Sequence, residues 1–108
     1  MWWVAAGLWA ALIFVVSAIP SAGSAGDVEL RGALLHIGEY AVLAALLRQA
    51  GMSWRWCVLA TVLYGLSDEL HQAVVPGRDA SVPDLLFDAV GALIGASLPV
   101  VRWRRRAA

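Results

Sequence analysis

Residues 2–19 read WWVAAGLWAALIFVVSAI, without one charged side chain. A helix rises only 1.5 Å per residue, so ~20 apolar residues are needed to cross ~30 Å of hydrocarbon. This run is close to that length, and Pro20 ends it because proline has no amide proton for a further turn. A cleaved secretory leader is the competing reading, since Ala22-Gly23-Ser24-Ala25 offers small residues for cleavage. No Lys or Arg precedes the run, and it is long for the apolar stretch of a leader, so it reads as a retained helix.

Working outward, Ser21 to Arg31 reads as a loop rich in Ser, Gly and charge. A second apolar run covers 33–50 and stops at Gly51. A third covers 54–75 and stops at Pro76-Gly77, a turn dipeptide. A fourth covers 82–103. The expected fold is all-α: one domain over residues 1–108, an integral membrane bundle of four transmembrane helices with spans near 2–20, 33–50, 54–75 and 82–103. Composition agrees. The chain is 61% hydrophobic with a mean hydropathy of +0.73, and only 15% of it is charged. Soluble domains carry about 25% charge. Most of the six Trp lie near the ends of the apolar runs, where an indole ring can sit half in lipid and half in water.

All eight basic residues are Arg. With four spans, Arg48, Arg55, Arg102, Arg104, Arg105 and Arg106 share one side, and Arg31 and Arg78 fall on the other. Basic residues favour the cytoplasmic side, so both termini are expected in the cytoplasm. The C-terminal Arg cluster then meets anionic headgroups rather than nucleic acid. The expected location is a membrane, crossed several times, with lipids as the first partners.

This orientation gathers the polar residues in one layer, the outer half of the bundle. His36, Glu39 and Tyr40 lie at i, i+3 and i+4, so they share a helix face. Tyr64, Ser67, Asp68, His71 and Gln72 share another, with Glu69 pointing off it. Asp84 and Asp88 open the fourth helix, and Gly91-x-x-x-Gly95 continues their stripe as a small-residue packing motif. Each ionisable group at mid-span costs about 2.5–3.5 kcal/mol on insertion scales, so such groups persist where they face one another, water or a ligand. The expectation is one outward-opening pocket of His36, Glu39, Tyr40, Asp68, Glu69, His71, Gln72, Arg78, Asp84 and Asp88. Plain structural roles compete with it. Asp84 follows Ser81-Val82-Pro83 as a helix cap would. Arg78 can snorkel to headgroups. His36 and Tyr40 can join helices by a hydrogen bond, and the whole set can be a polar seam. Asp88 lies a full turn past any cap.

Cys57 is the one cysteine, which excludes an internal disulfide and a Cys-rich metal site. No His-Glu-x-x-His metal motif and no nucleophile elbow occurs. No metal and no cofactor is expected.

The ordered string His36-x-x-x-Tyr40, Ser67-Asp68-Glu69-x-x-Gln72 and Pro76-x-Arg78-x-x-Ser81-x-x-Asp84-x-x-x-Asp88-x-x-Gly91-x-x-x-Gly95 resembles the VanZ-like family. That family takes its name from an accessory protein of resistance to the glycopeptide teicoplanin. Its members often carry Asn at the position of Asp88, and a Lys shortly before the histidine, where this chain has Ala33. The resemblance implies a bacterial plasma-membrane protein of the cell envelope. Two functions suit these residues. One is binding, without catalysis, of a lipid-linked or glycopeptide-related ligand, Arg78 holding a phosphate or carboxylate. The other is an intramembrane enzyme acting on a lipid-linked envelope substrate, with His36 or His71 as general base and the carboxylates orienting it or binding a metal. A small transporter or channel component is a weaker third.

Overall fold

The computed structural model describes residues 1–18, 25–74 and 82–101, with side chains from Leu34 in the second segment and from Pro83 in the third. Among them are four α-helices and no strand: α1 (Trp2–Ser17), α2 (Ala25–Ala50), α3 (Trp54–Gln72) and α4 (Val82–Ala96). The Pro76-Gly77 turn, the Ser81 cap, Arg78 and the C-terminal Arg cluster lie outside the described residues.

α1 ends at Ser17 rather than near residue 20 and α3 at Gln72 rather than near residue 75, and two further boundaries differ more from the sequence reading. The segment read as a loop up to Arg31 is helical from Ala25. Gly26 and Gly32 suggest a break, yet each costs a helix only about 1 kcal/mol, which a helix of 26 residues can absorb. The fourth helix stops at Ala96 rather than near Trp103. Pro99 is the reason: it has no amide proton, and it pushes Leu98 out of the helical region.

α2 and α3 form a hairpin. Gly51 takes a φ of +114°, a conformation open to glycine because it has no Cβ. The amide of Met52 then donates to the Leu47 carbonyl and that of Gly51 to the Arg48 carbonyl, both at 3.1 Å. This is a Schellman ending, and it satisfies carbonyls that the helix terminus would leave open. Ser53 starts α3 at once.

α2 packs most extensively against α4, and the two run parallel. Their register is read from His36 beside Asp88, Ile37 beside Gly91, Ala41 beside Gly95 and Gln49 beside Val101. The glycines set the spacing. A Cβ on Gly91 would lie 2.4 Å from the Ile37 carbonyl oxygen, and one on Gly95 would lie 2.0 Å from that of Ala41. Both contacts are with backbone, which cannot rotate away. α1 lies against α2 and α3: the Trp9 indole donates to the Glu39 carbonyl at 2.8 Å, and the Tyr64 hydroxyl donates to the Ala10 carbonyl.

The interior has two apolar clusters. One joins Ile13, Tyr40 and Leu43; the other joins Ala44, Cys57 and Ala96. The surface is unusual in carrying large apolar side chains on every helix. Val4, Leu8, Leu12 and Val15 follow one another along the outside of α1. Leu59, Leu63, Leu66 and Leu70 do so on α3, and Leu86, Val90, Leu93 and Ile94 on α4. At the same time no described helix is long and apolar enough to cross a membrane. α1 and α4 have 16 and 15 residues, about 24 and 22 Å, and α3 carries Arg55, Asp68 and Glu69.

Candidate functional site

The buried positions of α3 are Cys57, Thr61, Gly65, Asp68, Glu69 and Gln72. They recur at three- and four-residue steps, so one stripe of the helix faces inward, apolar and small at its start and acidic at its end. α2 brings His36 and Tyr40 to that end, one turn apart on one face; their rings lie nearly parallel with centroids 6.3 Å apart. α4 brings Asp88, and α1 brings Ser17.

Two contacts organise the centre. His36 Nδ1 lies 2.6 Å from Asp88 Oδ1, a little shorter than the roughly 2.7–2.9 Å of charge-assisted N–H···O hydrogen bonds. Asp88 is fully buried and His36 nearly so. Asp68 Oδ2 accepts two hydrogen bonds, from Ser17 Oγ at 2.9 Å and from Tyr40 Oη at 3.1 Å. Three helices thus converge on one carboxylate. Glu69 is buried next to these groups: His36, Glu69 and Asp88 each offer a donor atom, and these atoms lie within 4.8 Å of one another. Gly65 makes room. A Cβ there would lie 2.9 Å from Asp88 Oδ2. Asp68 Oδ1, Asp88 Oδ2 and Thr61 Oγ1 are buried and have no hydrogen-bond partner among the described residues. Orphaned buried acceptors cost about 1–3 kcal/mol each, more when charged, so native proteins carry few.

Of the expected pocket residues, His36, Tyr40, Asp68, Glu69, Gln72 and Asp88 are buried together. His71 is half-buried at the edge, its ring stacked on Phe14 of α1 with centroids 4.2 Å apart. Glu39 and Asp84 are half-buried, Asp84 in the first turn of α4 as the cap reading has it. Arg78 lies outside the described residues. Glu69, read as pointing off the polar face, is inside it. Ser67, read as part of that face, is exposed and donates to the Tyr64 carbonyl at 2.7 Å. The reason is that α3 touches α1, α2 and α4 at once, so a wider arc is covered than one partner would cover. The sequence reading missed Ser17 and Phe14. Ser17 had a signal: it is the one polar side chain within 2–19.

Chemically, the centre can hold a proton, a cation or a hydrogen-bonding ligand. Two of the hydroxyl and thiol groups near it are already engaged. Ser17 donates to Asp68, and Cys57 Sγ donates to the Ala44 carbonyl at 3.1 Å. Neither sits on His36 as the nucleophile of an acyl-transfer triad would.

Helix order, the parallel α2–α4 pair and the buried His–carboxylate centre define a class, that of small all-α four-helix proteins with an ionisable interior. The VanZ/LLP1 family model matches residues 2–103, and the chain belongs to that family. No curated protein and no solved structure matches the chain.

Proposed function

We propose that this chain is a multi-pass protein of the bacterial plasma membrane that binds a lipid-linked or glycopeptide-related envelope ligand at its His36–Asp68–Asp88 centre. A role in glycopeptide resistance, teicoplanin included, follows from that reading. The observation that carries it is the reversed polarity of the bundle. Carboxylates and an imidazole are buried, while leucines and valines cover the outside. In water both halves of that pattern are costly, because large exposed apolar patches are rare on soluble monomers and buried charges need pairing. In lipid the outer leucines are solvated, and the polar centre is the part that needs an explanation. The short helices are met by local thinning of the bilayer and by polar flanks reaching the interface. The general membrane association of the family supports the same reading.

The Arg distribution supports cytoplasmic termini, with the centre in the outer half. There Arg78 would meet a phosphate or carboxylate, and Asp68, Asp84 and Glu39 would accept hydrogen bonds from sugar or peptide groups. The test is lipid co-purification. Wild type and Asp68→Asn, reconstituted from the same bacterial membranes, are compared by mass spectrometry of bound lipid. Enrichment of one lipid-linked species in wild type and its loss in the variant supports the reading; identical lipid profiles reject it. Teicoplanin susceptibility of a deletion strain complemented with either form gives the cellular counterpart.

A second reading, an intramembrane enzyme acting on a lipid-linked substrate, is favoured by the close His36–Asp88 pair, which would orient the imidazole as a general base. Turnover of a lipid substrate by purified protein, lost in His36→Gln, would select it.

A further inference from the structure

The buried side chains described include three carboxylic acids, Asp68, Glu69 and Asp88, and one basic group, His36. Asp68 receives two hydroxyl donors, which suits one negative charge. Glu69 and Asp88 each bring a donor atom within 4.8 Å of the His36 imidazole. Asp88 contacts it through Oδ1 alone. Its Oδ2, fully buried and without a hydrogen-bond partner among the described residues, is turned toward the missing Cβ of Gly65, one turn before Glu69. Two acidic groups and an imidazole from three helices, with an open acceptor on one of the acids, make an unusual structural seam and an ordinary metal-ligand set.

We propose that His36, Glu69 and Asp88 form a three-ligand site for a divalent transition-metal ion, with Zn2+ the best match and Mn2+ next. Imidazole suits zinc, and carboxylates suit zinc and manganese, while the absence of thiolate from the set disfavours copper(I). The dimensions fit. Ligands about 2.0–2.2 Å from a tetrahedral ion stand about 3.4 Å from one another. The three donor atoms lie within 4.8 Å, so shifts of about an ångström close the site. Asp68, held by Ser17 and Tyr40, lies beside it as a second anionic group, and its open Oδ1 can accept from a water on the ion. A site with three protein ligands keeps a coordination position for an outside oxygen. The proposal therefore deepens the binding reading: the ion would hold the anionic headgroup of the envelope ligand. No local sequence motif reports it, because each ligand comes from a different helix.

The test uses the ion alone, without lipid, so that its failure is separate from failure of the lipid reading. Tag-free protein in detergent is stripped with chelator and titrated with Zn2+ and Mn2+ by calorimetry. One ion per chain is expected. Glu69→Gln and Asp88→Asn should each weaken binding at least ~10-fold, the least that even a supporting residue costs. Ser67→Ala, exposed on α3, should bind as wild type does. X-ray absorption of zinc-loaded wild type decides the matter even if a variant misfolds: one imidazole with oxygen ligands is expected. Folded wild type that binds neither ion overturns the proposal. So do unchanged affinities in both folded acidic-residue variants, or a sulfur ligand from Cys57.

Discussion

The two ends of the α2–α3–α4 interface are built on different principles. At one end Ala44, Cys57 and Ala96 close together with Leu47, Met52 and Val58 around them. At the other, the same three helices bury His36, Asp68, Glu69 and Asp88. The first end shows how little is needed to join these helices: small residues, close backbones and dispersion contacts. The second end adds charges whose burial is costly even when paired. A bundle that can be held by the first arrangement has no structural need of the second. The polar end is therefore where function is expected, and the apolar end is where stability is expected.

The comparison breaks most visibly at the glycines between the ends. Gly95→Leu drives a side chain into the Ala41 carbonyl, and overpacking against backbone should cost at least about 3 kcal/mol, with little folded protein recovered. Thermal unfolding in detergent measures this, and a wild-type midpoint would mean that α2 and α4 do not meet there. At the polar end, Asp88→Ala leaves His36 buried without its partner, a loss of about 3–5 kcal/mol. The double variant Asp88→Ala/His36→Ala should lose less than the sum of its singles, because the pair is removed together. Additive losses would show that the 2.6 Å contact carries no energetic coupling.

How much of this was legible in the sequence follows from geometry. Residues 36 and 40, or 91 and 95, are neighbours on any α-helix, so the His36–Tyr40 face and the Gly91–Gly95 stripe could be read directly. The existence of four helices could be read from apolar run length and from Pro and Gly punctuation. What could not be read is how many partners each helix has. Asp68 and Glu69 point about 100° apart, and only a helix covered by several neighbours buries both. The start of α2 was hidden by glycines that a long helix tolerates, and the participation of Ser17 required knowing that α1 crosses α3 near Asp68.

A smaller effect sharpens the comparison. Ser17→Ala removes one of the two donors to Asp68 and should cost about 1 kcal/mol. Ser67→Ala, on the exposed side of the same helix layer, should change stability by less than about 0.5 kcal/mol. Equal effects would mean that Asp68 gains nothing from α1.

The central claim is that this bundle is polar within and faces lipid without. Nitroxide labels at Leu8, Leu63 and Leu93, each exposed, placed singly in a Cys57→Ala background and reconstituted in bilayers, test it most directly. Relaxation by molecular oxygen, which partitions into lipid, is compared with relaxation by a water-soluble nickel chelate. The account expects strong oxygen and weak nickel contact at all three positions. Strong nickel contact at all three would put these leucines in water and contradict it.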